Sequence, residues 1–364
     1  MYNFWKKDYV QPSGVVCHHC RKLFELTSQD VCSAKRIIHH STTESFVSSI
    51  KAGCPICRAI LSEVDDPQKL FLYPFLISLT ECLIREPMNG SVYDLGFTWK
   101  SPGIPKRYRR VLVQRYDLIK QFLPRIPPAA DRGWNNQTLE VVKKWMRCCR
   151  KEHPNCQALN AWRTAGLDFQ PKRLVDIGSD SGRTWRLVLT GNDNIFRSPY
   201  VTISHRWSQN QQFKLISETI EAYTADQPVS DLPRIFQDAV QVVKSLGIRY
   251  LWVDCLCIIQ DSHLDWQRES LEMCKIYTNA ICNISITGFE DTSNGFLDQT
   301  CRYAPLPCRV QPRWAPSLRE GWCILDPFFW WAQVTKAPLT KRGWVFQERF
   351  LAPRVVHFGP DQIL

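Results

Sequence analysis

Tyr250 to Val253 is a continuously apolar run, Tyr-Leu-Trp-Val, with amphipathic helical patterns before and after it. A run without polar alternation fits a parallel strand covered on both faces. In the segment before it, Leu232, Ile235, Phe236, Ala239, Val240, Val243 and Leu246 recur at helical spacing and define one buried stripe. Asp231 is placed to cap that helix, Pro233 to occupy its first turn and Gly247 to end it. With Tyr200–Ser204 as the earlier strand, this is a βαβ unit with an expected right-handed crossover. The apolar run empties into Asp254, and ligands of open α/β sheets bind outside the carboxyl ends of strands.

A length of 364 residues suggests two or three domains, and 44% hydrophobic residues is a globular composition. The N-terminus, Met-Tyr-Asn-Phe-Trp-Lys-Lys, has no apolar core of a secretory signal. The apolar runs Leu70–Leu79 and Phe328–Val334 are too short to span a bilayer, so no membrane partner is expected. A cytoplasmic setting follows, in which the 16 cysteines are mostly reduced thiols and a minority bind metal.

Three segments emerge: a cysteine-containing region at 1–65, a mixed extension at 66–199 and a main α/β domain at 200–364, expected to be cut at or just after its C-terminal end with no closing element in view. The first holds Cys17-His-His-Cys20 and Cys54-Pro-Ile-Cys57, a pair of knuckles with the spacing of tetrahedral zinc. His18, His19, His39 and His40 compete as ligands. Cys54 and Cys57 equally fit buried thiols on one face of a helix, with helical patterns at 43–50 and 59–64. In the extension, 70–84 and 91–99 have strand composition. A basic cluster follows (Lys100, Lys106, Arg107, Arg109, Arg110, Arg115, Lys120, Arg125) and reads as a solvated, proline-flanked loop. It carries much of the net charge of +11, yet no aromatic ladder accompanies it, so nucleic acid ranks last among partners. A helix at 137–157 ends in Cys149-x3-His153-x2-Cys156, which reads as packing at a helix end or as a metal trio.

Short strands are expected at 173–177, 184–189, 200–204, 281–287 and 354–358. The helix after Asp265 places Trp266, Ser270, Met273 and Tyr277 on one face, leaving Arg268, Glu269, Glu272 and Lys275 to solvent. Residues 289–335 read as an irregular insertion or lid. No phosphate-cradling Gly-x-x-x-x-Gly-Lys, dinucleotide Gly-x-Gly-x-x-Gly or His-Glu-x-x-His occurs, and Gly178-Ser-Asp-Ser-Gly182 has Asp180 where a hydrolase elbow has its serine. A nucleophile pair of His205 with Cys255 or Cys257 is a minor option, since thiols beside an apolar strand are commonly inert. Three polar clusters remain: Ser204/His205/Arg206/Trp207, Asp254/Gln260/Asp261 and Trp344/Gln347/Glu348/Arg349. A carboxylate beside an aromatic wall suits glycosidic cleavage, holding a ribose hydroxyl and stabilising an oxocarbenium-like centre. Equally, Glu348 can pair with Arg342 or Arg349, and Asp254 can cap a loop.

The blocks Tyr-Val-Thr-Ile-Ser-His-Arg-Trp, Tyr-Leu-Trp-Val-Asp-Cys-Leu-Cys-Ile-Ile-Gln-Asp with Ile-Tyr-Thr-Asn-Ala, and Arg-Gly-Trp-Val-Phe-Gln-Glu-Arg resemble, in order, those of the fungal heterokaryon incompatibility (HET) domain. The likeness covers about 200–350. It departs at Trp207-Ser208, where the family usually has Trp-Gly. The resemblance implies a protein of fungal self/non-self recognition that triggers programmed cell death. It also implies self-association, or association with other HET or NLR-type proteins. HET domains are in turn similar to Toll/interleukin-1 receptor (TIR) domains, some of which cleave NAD. That likeness implies a flavodoxin-like, mostly parallel sheet with helices on both faces, preceded here by a mixed, mostly helical N-terminal region. The TIR pattern Trp-Cys-x-x-Glu resembles Trp344-Val-Phe-Gln-Glu348. It implies a catalytic Glu348, with Ser204, His205, Arg206, Trp207, Asp254, Trp344 and Gln347 around NAD as substrate. A non-catalytic module acting by TIR-like assembly is the alternative that the same resemblance allows.

Overall fold

A computed structural model describes residues 16–32, 37–61, 79–85, 91–101, 104–119, 134–157, 169–178, 183–193, 195, 198–207, 213–289, 295–297, 308–359 and 363–364. Its strands, in chain order, are β1 (Ile37–His40), β2 (Leu79–Arg85), β3 (Val92–Ser101), β4 (Ile104–Arg115), β5 (Arg173–Asp176), β6 (Thr184–Leu189), β7 (Tyr200–Ser204), β8 (Gln227–Pro228), β9 (Tyr250–Val253), β10 (Asn283–Ser285), β11 (Cys308–Val310), β12 (Trp322–Leu325) and β13 (Val355–His357). The chain is mixed α/β and divides into two compact units, 1–126 with 303–330, and 127–302 with 331–364.

The first unit is built on an antiparallel sheet of order β1-β2-β3-β4-β12-β11. Helices His18–Glu25, Thr43–Lys51 and Pro55–Leu61 supply Leu23, Phe46 and Ile56 to a core that also holds Phe97 and Trp322. Among the described residues the N-terminal region is mostly helical before β2, with β1 as its strand, and sheet-rich after it. Two sequence expectations change here. The basic 104–115 stretch is a ladder strand and not a loop, and Arg109, Arg110 and Arg115 within it are each paired with a carboxylate. Arg109 is buried and grips Asp326 at 2.7 and 2.6 Å, and Arg110 meets Asp94 at 2.9 Å. Lys120 and Arg125 lie outside the described residues. Residues 308–325, expected as an irregular lid, instead add β11 and β12 beside β4.

The second unit carries a sheet of order β13-β10-β7-β9-β5-β6-β8. β13, β10, β7 and β9 run parallel, whereas β5, β6 and β8 are antiparallel additions. The expected mostly parallel sheet is thus a mixed one. β5 and β6 are joined by a connection too short for a parallel crossover, and the TIR-like flavodoxin pattern is not what this strand order spells out. Within the parallel part, β7 and β10 are buried at every residue, and their polar members Thr202, Ser204, Asn283 and Ser285 are accommodated by side-chain hydrogen bonds. The helix Arg234–Ser245 lays its stripe on this sheet through Ile235, Phe236, Ala239, Val240, Val242 and Val243. Its N-cap is Pro233 with no side-chain bond, so Asp231 does not cap it. Gly247 does end it, at φ 77° with its N–H on Lys244 O at 2.8 Å.

Helix His263–Asn279 differs from its sequence reading. Its buried face is Asp265, Glu269, Met273, Ile276 and Tyr277, while Trp266 is largely exposed. Glu269 is inside because buried Arg173, at the start of β5, binds Asp265 and reaches Glu269 at 3.3 Å. The same guanidinium donates to Cys257 O at 2.6 Å. Helix Asn136–Glu152 opens on a capping box from Asn135 and Thr138.

Candidate functional site

Register fixes what meets at the carboxyl edge of the parallel strands. Ser204 pairs across from Ser285, Ile203 from Val253, and Ser285 from His357. Asp254 therefore begins its short helix, Asp254–Cys257, one residue beyond the ladder and beside the end of β7. The polar groups beneath are fully tied. Asn283 Nδ2 donates to Ser204 Oγ at 2.9 Å, and Thr202 Oγ1 donates to Asn283 Oδ1 at 3.1 Å. Thr287 Oγ1 sits 2.9 Å from His357 Nδ1. A satisfied buried network of this kind holds the edge in one arrangement.

Onto this edge the helix Gly343–Leu351 turns two side chains inward, Val345 and Glu348. Glu348 is buried, with the Ser204 and Tyr277 side chains close enough to act on its carboxyl. Burial first, and the nearby Asp254 charge second, push it up to about 7, against the pull of Ser204, Arg342 and Tyr277. Tyr277 is raised in turn, by burial and then by Glu348. Asp254 accepts Trp207 Nε1 at 3.0 Å and the Cys255 N–H at 2.8 Å. Arg342 lies 3.8 Å from Asp254 and donates to the His205 carbonyl. Asp254 and Arg342 keep part of their surface in solvent, so they form the rim and Glu348 the floor.

His205 is buried edge-on against Phe236 at 5.2 Å, and neither ring nitrogen has a hydrogen-bond partner among the described residues. Burial lowers its pKa, leaving a neutral imidazole whose nitrogen lies within 4.8 Å of an Asp254 oxygen and the Cys255 sulfur. An orphaned buried ring at a strand end is the kind of polar group that structure alone does not require. Cys257 is pushed up to about 12 by burial, which removes it as a nucleophile near neutral pH.

The sequence-derived set thus divides. Ser204, His205, Trp207, Asp254 and Glu348 gather on one edge. Arg206 is exposed, and Trp344 is exposed on the Glu348 helix with its ring edge-on to Trp266 at 6.5 Å. Gln347 is half-buried, and no hydrogen bond ties it to the cluster among the described residues. Gln260 turns back onto Asp254 O and Ile258 O, and Asp261 accepts Ser217 N at 2.9 Å, so both shape the loop. Tyr277 and Asn283 were not assigned to the site from sequence. The signal was there, since both fall in or next to the Ile-Tyr-Thr-Asn-Ala and Ile-Cys-Asn-Ile-Ser blocks.

Three further groups can hold a metal such as zinc, and one of them, His39, His40 and Cys57, shares Cys57 with the four-cysteine group. Cys17, Cys20, Cys54 and Cys57 converge in the first unit with their sulfurs within 4.8 Å of one another. Cys149, His153 and Cys156 do so at the end of the Asn136–Glu152 helix, where the two sulfurs are 3.3 Å apart. Among the described residues no helix is long and apolar enough to cross a membrane.

Residues 200–348 match the family model described as heterokaryon incompatibility protein (HET), a span that opens at β7 and closes on Glu348. Comparison with curated proteins and with solved structures found no match.

Proposed function

We propose that the segment matching the heterokaryon incompatibility family is the effector of a cytoplasmic cell-death response between incompatible fungal cells, and that it acts by cleaving NAD. The observation that carries this reading is the meeting of three separated sequence blocks on one buried carboxyl, Glu348, held near neutrality beside Asp254. A carboxyl tuned in this way is suited to acid–base and electrostatic work near pH 7. In the reaction, the C1′–N bond of the nicotinamide ribose breaks heterolytically. Its electron pair goes to the nicotinamide nitrogen, which leaves neutral. Ionised Glu348 stabilises the oxocarbenium-like C1′ through the ribose hydroxyls. Water then adds to C1′ and loses a proton, giving ADP-ribose. Arg342 at the rim, 3.8 Å from Asp254, is the group a pyrophosphate would draw.

The supporting experiment is consumption of NAD by the purified chain, with release of nicotinamide, and its loss in Glu348→Gln. A second reading, assembly without catalysis, is favoured by one specific observation. On the two packed helices His263–Asn279 and Gly343–Leu351, Leu264, Leu271, Phe346 and Phe350 are each at least three-quarters exposed, and the two phenylalanine rings stack at 5.7 Å. Exposed apolar clusters of this kind mark contact surfaces. In that case Glu348→Gln keeps cell killing, and Phe346→Asp with Phe350→Asp abolishes both killing and self-association.

A further inference from the structure

Cys17, Cys20, Cys54 and Cys57 lie at the starts of two helices of the first unit. Cys17 caps helix His18–Glu25, its sulfur 3.4 Å from the Cys20 N–H, and Cys54 directly precedes helix Pro55–Leu61. Gly53, at φ 83°, makes the sharp turn that presents the second pair. The start of helix His18–Glu25 favours a thiolate at Cys17, whose sulfur accepts the Cys20 N–H. Cys20–Cys57, Cys17–Cys57 and Cys20–Cys54 are each 3.7 Å apart, sulfur to sulfur. A disulfide needs about 2.05 Å. Four sulfurs around one tetrahedral zinc, at about 2.3 Å each, lie about 3.8 Å apart along every edge. Thiols in van der Waals contact reach a similar spacing, so the weight lies on the convergence of all four sulfurs, each within 4.8 Å of the others, as around a single tetrahedral ion.

A second observation is independent of the sulfurs. Two fully buried imidazoles aim their Nε2 atoms at the cluster, His39 at Cys20 Sγ (2.9 Å) and His40 at Cys57 Sγ (3.4 Å). Four thiolates and one Zn²⁺ carry a net charge of −2, which is costly inside a core unless hydrogen bonds offset it. We propose that Cys17, Cys20, Cys54 and Cys57 bind one structural zinc ion, and that His39 and His40 do not ligate it but donate Nε2–H hydrogen bonds to the Cys20 and Cys57 thiolates. At His40 this requires the Ser45 hydroxyl to donate to Nδ1 rather than to Thr42 O, which lie at the same 2.9 Å. The site is closed, with four protein ligands, and so is structural and not catalytic.

The test uses the whole purified chain. Elemental analysis is expected to give one zinc per chain, and cobalt exchanged into the site is expected to give the charge-transfer and ligand-field absorption of a tetrahedral tetrathiolate. His39→Phe and His40→Phe are expected to keep that spectrum and stoichiometry while weakening zinc about 10–100-fold against a competing chelator. Cys54→Ser is expected to lose the metal. Should that variant fail to fold, the cobalt spectrum of the unaltered chain still decides. A folded chain with no metal or with iron would overturn the proposal. So would a cobalt spectrum with a nitrogen ligand that His40→Phe removes.

Discussion

Glu348 is the residue whose environment most departs from what an ordinary acid needs. Its carboxyl is raised from 4.5 in the unfolded chain to about 7 in the fold. Between those values the unfolded chain ionises and the folded chain holds its proton, so stability falls as pH rises through this window. The contribution is absent below about pH 4.5 and amounts to roughly 3 kcal/mol above pH 7. Glu348→Gln is therefore expected to be more stable than the unaltered chain at pH 8 and no more stable at pH 4, as read by urea melts at both pH values. Asp254 is the second cause of that elevation. In Asp254→Asn the pH midpoint of NAD consumption should move below that of the unaltered chain, whereas an unmoved midpoint would separate the two carboxyls. The sequence pointed at both residues and at their convergence. It did not rank Tyr277 or Asn283 among them, because their roles come from strand register and helix rotation, which periodicity does not specify.

At the scale of elements, the βαβ unit of β7, the Arg234–Ser245 helix and β9 was legible because a single apolar stripe and the unbroken apolar run of β9, with β7 mostly apolar before it, leave few alternatives. Charged residues were misread where a partner distant in sequence neutralises them. Arg109 looked like part of a solvated basic run until Asp326, 217 positions later, entered the strand beside it. Glu269 looked like a surface residue until Arg173, 96 positions earlier, met it inside. Burial alone would raise Asp265, but Arg173 and the Ile259 N–H at 2.9 Å outweigh it and hold that carboxyl below its usual range. Arg173 therefore ties β5, the Cys257 carbonyl and the start of the His263–Asn279 helix together behind the site. Arg173→Met leaves buried Glu269 without its cation and Asp265 with the partly exposed Lys172 at 3.6 Å, and is expected to cost about 3–5 kcal/mol in chemical denaturation. A loss under 1 kcal/mol would mean that the carboxyls find water or protons instead.

At the scale of the whole molecule, the chain interleaves two units, since residues 303–330 return to the first after the second has largely formed. Length and composition indicated several domains, but a return crossing of this kind leaves no mark on local patterns, and 308–325 consequently read as irregular. Stripping the metal from the four-cysteine cluster is expected to make residues 16–61 sensitive to limited protease while 200–289 stay protected, with the fragments identified by mass. The HET match begins and ends within the second unit, and the proposed chemistry belongs to that unit. The most direct measurement of the central claim is NAD turnover by the purified whole chain and by Glu348→Gln, side by side, with each shown to be folded by its urea melt. The account predicts nicotinamide and ADP-ribose from the unaltered chain, at a rate that rises through about pH 7, and no turnover from Glu348→Gln. Equal turnover by the two, or intact NAD with a folded and self-associated unaltered chain, would contradict it.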